Sequence, residues 1–329
     1  MSAASPPPGT EVLLAELERI PVLVRRMTLA AEKVMSVELE RCDGGPLPDW
    51  SPGAHVDVAL PNGLVRQYSL CGEPDDRATW RIGVLRDERS RGGSAYIGDV
   101  LRPGDRLAVG PPRNNFAFAN APRYLFIAGG IGITPLVPML KEAQARGKAW
   151  RLVYGGRRRA SMAFLSELSP LTEKVQIFPE DECGLLDVRG LIDGLERGTA
   201  VYCCGPDGLL SVVERVVADR DDLELHVERF QARATAPASA DDGFRAVLAR
   251  SGTELLVAPG VPLLDVLEDA GLSVASACRE GICGSCELRV LEGDVDHRDS
   301  VLSPAERAAG TTMMPCVSRA AGARVVLDL

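Results

Sequence analysis

The chain has 329 residues, with 37 Lys and Arg against 46 Asp and Glu and a formal net charge of −9. This length exceeds what one hydrophobic core usually supports, so we expect two or three domains. The negative charge repels polyanions, which disfavours nucleic acid as a partner. No stretch approaches the roughly 20 apolar residues that cross a bilayer, and the Pro/Ser/Ala-rich start lacks the pattern of a secretory signal. We therefore expect a cytoplasmic protein without a membrane segment.

The first part of the chain is patterned as short strands. After an N-terminal extension at residues 1–20, to which we assign no role, strand-like runs begin at Val22 and are separated by turn residues. This pattern predicts an antiparallel β-barrel. Its clearest hairpin spans residues 55–70, where Asn62 and Gly63 are expected to supply the positive φ angles of a tight turn.

The pattern changes at about Arg123. From there, apolar strands alternate with helical stretches, which predicts a parallel α/β sheet. A stretch of small residues without apolar periodicity, at 231–242, is typical of a linker. Residues 243–329 then predict a compact domain of mixed strands and helices.

Four of the nine cysteines lie at a distinctive spacing. Cys278, Cys283 and Cys286 form a C-x₄-C-x₂-C run, and Cys316 follows after 29 residues. Thiolates at this spacing are typical of a plant-type [2Fe–2S] cluster, and the glycines between them let the backbone wrap closely around it. A zinc site, which usually pairs its ligands as two CxxC knuckles, and inert buried thiols are the alternatives. The remaining cysteines, which we interpret as small buried hydrophobic residues, are at positions 42, 71, 183, 203 and 204.

Two glycine loops follow strands of the predicted parallel sheet. Gly129–Pro135 (GGIGITP) precedes a helix, where a dinucleotide pyrophosphate can meet backbone amides and the positive helix end. It departs from the GxGxxG pattern, and a structural turn is the alternative. Cys203–Asp207 ends what we expect to be the final strand of the sheet, at the edge where such sheets bind ligands. Arg157–Arg159 could bind the adenosine ribose or a 2′-phosphate, or form a solvated loop, and we favour NADH over NADPH.

Two motifs in the barrel could bind a flat, anionic cofactor. Arg66–Ser69 (RQYS) offers a guanidinium for a phosphate, an aromatic ring and a hydroxyl, and strand alternation places Arg66 and Tyr68 on one face. Arg91–Ser94 (RGGS) opens a short helical stretch. The alternative is an exposed arginine and a core tyrosine on an ordinary barrel strand.

With these motifs, the chain from about Val22 to Leu329 resembles the phthalate dioxygenase reductase family. Two further segments, Pro112–Phe116 (PRNNF) and His226–Phe230 (HVERF), carry the same resemblance. The resemblance implies a multidomain protein with three parts. They are an antiparallel β-barrel flavin domain at 21–121, an α/β parallel-sheet nicotinamide domain at 122–230 and, after the linker, an α+β β-grasp ferredoxin domain at 243–329.

The resemblance also implies FMN, NADH and a [2Fe–2S] cluster as cofactors, with NADPH as the alternative nucleotide. Thr134 and Cys204 are expected to act in hydride transfer. Leu85 departs from the family pattern, which has a basic residue there, and Arg86 is the expected substitute for that phosphate contact. The expected cofactor-binding residues are Arg66, Gln67, Tyr68, Ser69, Gly83, Val84, Leu85, Gly92, Gly93, Ser94, Gly130, Gly132, Thr134, Cys204, Gly205, Pro206 and Phe230, and the expected metal ligands are Cys278, Cys283, Cys286 and Cys316.

These parts imply a reductase. A nicotinamide gives a hydride and the cluster takes one electron, so a flavin between them must split the pair. By resemblance, the acceptor is the Rieske-type oxygenase of a two-component system that hydroxylates or O-demethylates its substrate. A cytochrome P450 is the alternative acceptor. A hypothesis of another class is that the protein is a non-catalytic redox sensor. We expect a monomer. The acidic segment Glu292–Asp299 is expected to be a solvated loop, with steering of a basic partner as the alternative.

Overall fold

The computed structural model describes residues 19–88, 92–171, 173–231 and 242–329, except for the side chain of Pro304. The chain forms two compact units, Met1–Phe230 and Gln231–Leu329. Most of the predicted N-terminal extension, Arg91 and residues 232–241 of the predicted linker lie outside the described residues. The boundaries of the three domains therefore stay a prediction. Within the described residues, no helix is both long enough and apolar enough to span a bilayer.

A six-stranded antiparallel sheet forms the first part of the first unit. Its strands are β1 (Ile20–Ala31), β2 (Val34–Arg41), β3 (His55–Ala59), β4 (Val65–Ser69), β5 (Trp80–Leu85) and β6 (Arg106–Val109), in the spatial order β4-β3-β6-β1-β2-β5. A bridge between Leu70 and Ile82 joins the two edge strands, so the sheet curls into a barrel. Inward-facing apolar side chains, among them Trp80, fill its interior. One helix, α1 (Gly93–Asp99), follows β5.

The hairpin between β3 and β4 is built differently from the prediction. Gly63 has a φ of +82°, but Asn62 is not among the described residues with positive φ. Instead, the Leu64 amide donates to Asn62 Oδ1 at 3.2 Å, and the Gly63 amide donates to the Leu60 carbonyl at 3.0 Å. The expectation of two positive φ angles was wrong for Asn62, because a three-residue loop needs one left-handed residue and not two.

A five-stranded parallel sheet forms the second part of the first unit. Its strands are β7 (Arg123–Gly129), β8 (Ala149–Gly156), β9 (Val175–Pro179), β10 (Thr199–Cys204) and β11 (Glu224–Glu228), in the order β11-β10-β7-β8-β9. The expectation that the strand ending at Cys204 is the final one was wrong, because β11 follows it in the chain and pairs with it at the edge of the sheet. Helices cover both faces, which explains why β7 and β10 are nearly continuous apolar runs. They are α2 (Leu136–Ala145), α3 (Leu165–Leu168), α4 (Glu180–Cys183), α5 (Val188–Asp193) and α6 (Asp207–Val217).

The second unit is a mixed sheet packed against helices. Its strands are β12 (Phe244–Leu248), β13 (Glu254–Val257), β14 (Leu288–Glu292), β16 (Thr312–Met313) and β18 (Arg324–Leu327), in the order β13-β12-β18-β14-β16, with a separate pair of β15 (Val295–Asp296) and β17 (Arg319–Ala320). Helix α7 (Leu263–Asp269) packs on the core of this sheet through Leu263 and Leu267. Helix α8 (Pro304–Ala309) begins at a capping box formed by Ser303 and Glu306.

Candidate functional site

The two predicted glycine loops touch each other at the carboxyl ends of β7 and β10. A Cβ on Gly132 would lie 2.2 Å from the carbonyl oxygen of Cys204, and one on Gly205 would lie 2.9 Å from Cα of Gly129. Glycine is required at both places because no side chain fits in the gap. The structure thus brings Gly130–Gly132 together with Cys204–Pro206, as the nucleotide-binding prediction requires.

Thr134 lies where the parallel sheet meets the barrel. It is buried, and its hydroxyl donates to the Ile131 carbonyl at 3.0 Å. A Cβ on Gly83 of β5 would lie 2.6 Å from the Thr134 methyl group. Two residues predicted from different halves of the first unit are therefore in contact. This contact places the barrel strand that carries Val84 directly against the glycine loop of the parallel sheet.

Glu228 is a residue of this site that the sequence analysis missed. It ends β11, and its Oε2 accepts long hydrogen bonds from the Ser69 hydroxyl at 3.5 Å and from the Cys204 thiol at 3.9 Å. Removal from water raises its pKa from 4.5 to about 8, and these two donors only partly offset that effect. Glu228 therefore keeps its proton at neutral pH. Its neighbours Ser69 and Cys204 come from the barrel and from the parallel sheet, and we call the junction formed by these three residues the recess.

Arg229 fixes the position of this strand end. Its buried guanidinium pairs with Glu214 at 2.7 Å and with Asp207 at 3.5 Å, both on α6. Because Glu228 and Phe230 flank Arg229, the anchor determines where both of them lie. Phe230 packs against the apolar cluster that lies between the barrel and the parallel sheet.

Arg66 lies over the Gly92–Gly93 turn. A Cβ on Gly93 would come within 2.6 Å of Cγ and 2.8 Å of Nε of Arg66, and Gly92 has a φ of +95°. The Ser94 hydroxyl accepts the Asp87 amide at 3.2 Å, which closes the loop next to the turn. A guanidinium above a glycine turn fits a phosphate group, so Arg66, Gly92, Gly93 and Ser94 come together as predicted.

Two predicted contacts of the cofactor have other surroundings. In the register of the hairpin, Gln67 on β4 stands opposite Asp57 on β3. Because successive side chains of a strand point to opposite faces, the Gln67 side chain lies on the other face of β4 from Arg66. The Arg86 guanidinium forms a bidentate pair with Asp99 at 2.9 and 2.8 Å. Asp99 ends α1, whereas the glycine turn begins it. The structure therefore does not bring Arg86 to the turn as a substitute for the exposed Leu85.

The basic segment Arg157–Arg159 at the end of β8 is largely engaged in ion pairs. Arg159 forms a bidentate pair with Glu182 at 3.0 and 2.6 Å, and Arg158 donates to Glu32 at 2.8 Å. Glu182 belongs to an acidic segment, Glu180–Glu182, that follows β9 at the same edge of the sheet. Three carboxylates thus stand beside the three arginines at this edge.

The four predicted metal ligands lie in the second unit. Cys278 is partly buried and the other three are buried. The Cys278 and Cys283 thiols are neighbours, as are those of Cys286 and Cys316, and the Cys278 thiol lowers the pKa of Cys283. Backbone amides of Glu280 and Ser285 donate to sulfur at 3.3 and 3.5 Å. Amides aimed at sulfur and positive φ angles at the loop glycines, +68° at 281 and +72° at 284, fit an iron–sulfur cluster.

The interpretation of the remaining cysteines as buried hydrophobic residues holds for three of them and was wrong for two. Cys71, Cys203 and Cys204 are buried, whereas Cys42 and Cys183 are exposed. Cys42 follows the end of β2 and Cys183 ends the short helix α4. Both lie where the chain turns at the surface, and the spacing of single cysteines carries no signal for that.

Two protein-family models match the chain. Residues 247–321 match the 2Fe-2S iron-sulfur cluster binding domain, and residues 126–180 match the oxidoreductase NAD-binding domain. Among curated proteins, phenoxybenzoate dioxygenase subunit beta of Ectopseudomonas oleovorans is 39% identical over 317 residues, which cover 96% of this chain and 99% of that protein. Vanillate O-demethylase oxidoreductase of a Pseudomonas species is 40% identical over 321 residues, covering 94% and 100% respectively.

Solved structures give the same result. Phthalate dioxygenase reductase matches with a TM-score of 0.71 and 36% identity, covering 95% of this chain and 98% of that one. The chain belongs to the phthalate dioxygenase reductase family. An intact type IV self-sufficient cytochrome P450 monooxygenase matches with a TM-score of 0.87 and 43% identity, but the match spans only 41% of that longer chain.

Membership of this family confirms the expected multidomain fold class of antiparallel barrel, parallel sheet and ferredoxin domain. The protein is an NAD(P)H-dependent oxidoreductase of the oxygenase reductase class, with an NAD-binding domain and a [2Fe–2S] domain. The zinc and inert-thiol alternatives for the four cysteines are thereby set aside.

Proposed function

We propose that the protein is the reductase component of a two-component oxygenase and moves electrons from NADH through FMN and a [2Fe–2S] cluster to a Rieske-type oxygenase. The observation that carries this proposal is the recess where Ser69, Cys204 and Glu228 meet, since it joins the barrel to the nucleotide loops. The same chain carries the four-cysteine loop. Curated relatives of full-length coverage are named as parts of dioxygenase and demethylase systems, which supports the acceptor.

The residues of the barrel fit FMN. In this proposal Arg66 and the Gly92–Gly93 turn hold its phosphate, while Tyr68, Ser69 and Val84 line the ring system. A flavin takes a hydride from the nicotinamide and releases its two electrons one at a time, which suits a one-electron cluster. Arg66 needs the open glycine turn beneath it, because any side chain at Gly93 would occupy its place.

The glycine loops orient the nicotinamide. The contact between Gly132 and the Cys204 carbonyl fixes the spacing of the two loops, and the Thr134 contact with Gly83 fixes both against the barrel. Holding the donor carbon within about 3–3.5 Å of its acceptor removes most of the entropic barrier of hydride transfer. In this proposal Thr134 and Cys204 therefore act by position, and neither has to give up a proton. The buried thiol of Cys204 has a raised pKa and stays protonated.

Glu228 places a protonated carboxyl at the edge of the recess. Its raised pKa keeps the proton on the carboxyl at neutral pH, and the Ser69 hydroxyl lies 3.5 Å from its Oε2. A neutral carboxyl beside the ring system also avoids placing a negative charge where the hydride arrives. Glu228 thus presents a neutral carboxyl next to Ser69.

We favour NADH as the reductant. Glu182 and Glu32 engage Arg159 and Arg158, and the acidic segment Glu180–Glu182 disfavours a dianionic 2′-phosphate at that edge of the sheet. A carboxylate there can instead accept a hydrogen bond from the ribose 2′-hydroxyl. The test is Glu182→Gln, with Glu142→Gln on α2 as control. We expect the ratio of kcat/KM for NADPH to that for NADH to rise only in the former, and an unchanged ratio contradicts this assignment.

The acceptor distinguishes the main proposal from its alternatives. A cytochrome P450 is the second candidate, because an intact P450 monooxygenase contains a segment 43% identical to nearly all of this chain. In a redox sensor, reduction of the cofactors would not lead to sustained turnover.

We further propose that the protein works as a cytoplasmic monomer.

The experiment that tests the function starts with the purified chain. Heating should release FMN, identified by chromatography against FAD, and the folded protein should reduce cytochrome c steadily with NADH. Release of FAD contradicts the assignment of the barrel. Reduction of the cofactors without sustained turnover favours the sensor, and a faster reaction with a P450 than with a Rieske oxygenase favours the alternative acceptor.

A further inference from the structure

Asp299 is a buried carboxylate in the segment that the sequence analysis expected to be a solvated acidic loop. Its side chain is 0% exposed. Its Oδ2 accepts the amides of Val301 and Leu302 at 3.0 and 2.9 Å, and its Oδ1 accepts the Ser318 hydroxyl at 3.4 Å. The expectation was therefore wrong at this residue. A carboxylate that is withdrawn from water and satisfied by three donors needs a reason to be there.

The segment around Asp299 contacts the loop that carries the first three cysteines. The Ser300 amide donates to the Gly281 carbonyl at 2.7 Å. A Cβ on Gly281 would lie 3.0 Å from Cα of Asp299 and 2.5 Å from the Val317 side chain. Gly281 stands between Cys278 and Cys283, so the Asp299 backbone lies directly behind the loop of the cysteine ligands.

Asp299 also contacts the segment of the fourth cysteine. Ser318, which donates to the carboxylate, is two residues after Cys316, and its oxygen accepts the Arg298 amide at 3.1 Å. Arg307 approaches the carboxylate to 3.6 Å but is partly exposed, so it compensates the buried charge only in part. Asp299 therefore contacts both cysteine segments, which lie far apart in the sequence. Its carboxylate binds Ser318 behind Cys316, and its backbone lies against Gly281.

We propose that Asp299 is a positioning residue for the [2Fe–2S] cluster, joining the two cysteine segments and placing a negative charge behind the ligand loop. Reduction adds an electron to the cluster, and a nearby negative charge opposes that step. Asp299 thus lowers the reduction potential of the cluster and slows its loss. The inference rests on the cluster of the proposed function.

The test uses the full chain with its cofactors and three variants. Asp299→Asn keeps an oxygen acceptor for the two amides and removes the charge. Ser318→Ala removes only the hydroxyl link. Asp328→Asn is the matched control, because it removes one carboxylate of the same unit that pairs with Arg250 and Arg289 instead. The readouts are the midpoint potential, from an anaerobic titration followed by the electron paramagnetic resonance signal of the reduced cluster, and the rate of iron release to a chelator.

We expect the midpoint potential to be more positive than that of the wild type in Asp299→Asn alone. Iron release should be about tenfold faster than in the wild type in both Asp299→Asn and Ser318→Ala, which is the scale typical of residues that support metal ligands. A potential of Asp299→Asn equal to that of Asp328→Asn overturns the inference. If Asp299→Asn does not fold, Ser318→Ala decides through its rate of iron release, and an unchanged rate overturns the inference. A wild-type chain without a cluster signal would instead contradict the proposed function.

Discussion

Glu228 shows how single residues acquire their chemistry from distant parts of the chain. Its carboxyl is ordinary in sequence, and its raised pKa arises because folding removes it from water beside Ser69 and Cys204. Ser69 is 159 positions away, so no local pattern could point to this contact. The spacing of the four cysteines, by contrast, is a local signal, and it predicted the ligand set directly.

The raised pKa of Glu228 predicts how stability depends on pH. The folded chain holds this proton between pH 4.5, where the unfolded carboxyl ionises, and about 8. Its contribution to the free energy of unfolding is therefore full below about pH 4.5 and is lost as the pH rises through about 8. Glu228→Gln lacks this titration, so its free energy of unfolding should fall less steeply with pH than that of the wild type. The two slopes should differ by no more than about 1.4 kcal/mol per pH unit. The measurement is urea unfolding at several pH values, followed by tryptophan fluorescence, since Trp50, Trp80 and Trp150 all lie in the first unit.

Glu142→Gln is the control for this titration, because Glu142 pairs with Arg146 on the surface of α2. We expect its pH dependence to match that of the wild type. A profile of Glu228→Gln that runs parallel to the wild-type profile would show that Glu228 titrates normally.

The contact between the glycine loops predicts a sharp effect of one methyl group. Gly132→Ala places a Cβ 2.2 Å from the Cys204 carbonyl oxygen, so the loops must separate at a cost of about 1–3 kcal/mol. We expect weaker NADH binding and a lower kcat/KM. Gly208→Ala in α6 has open space and should leave both unchanged. Equal kinetics of the two variants would contradict the role given to Gly132.

At the scale of elements, Arg81 connects β5 of the barrel to α3 of the parallel-sheet part. Its guanidinium forms a bidentate pair with Glu167 at 2.7 and 3.0 Å. The same group lies 5.0 Å from the centre of the Phe164 ring and donates to the Cys71 carbonyl at 2.6 Å. A planar guanidinium can make these contacts together, and a lysine cannot. The link holds together the two surfaces that form the recess.

We therefore expect Arg81→Lys to lower the free energy of unfolding of the first unit by about 1–3 kcal/mol, because hydrogen bonds to a charged group are lost. Arg25→Lys should change it by less than about 0.5 kcal/mol, since the pair with Glu40 is exposed and long, at 3.5 Å. Urea unfolding followed by tryptophan fluorescence measures both. A similar loss in the two variants would show that the link carries no special stability.

The elements also show what the sequence could predict. Alternating apolar residues predicted the barrel hairpin, and apolar runs followed by glycine loops predicted the parallel strands, because both patterns depend on neighbours in the chain. The loop details depend on contacts instead. Asn62 turned out to bind the Leu64 amide, Arg86 pairs with Asp99, and Asp299 is buried rather than solvated. Polar side chains such as these take the partner that folding brings near, which the spacing of residues does not encode.

The whole molecule is arranged to carry electrons in sequence in the proposed function. The first unit holds the nucleotide loops and the recess at the barrel, and the second unit holds the four cysteines. In the proposed function, hydride transfer takes place in the first unit and the one-electron cluster lies in the second. We expect electrons from NADH to pass from the first unit to the second without an added carrier.

The most direct test is an anaerobic titration of the full chain with NADH, recorded by visible absorbance and by electron paramagnetic resonance. The account predicts that flavin absorbance bleaches and that the signal of the reduced cluster appears in the same titration. Cys286→Ser, which lacks one cluster ligand, should lose the cluster signal and keep the flavin bleaching. Bleaching without a cluster signal in the wild-type chain, or absence of flavin, would contradict the account.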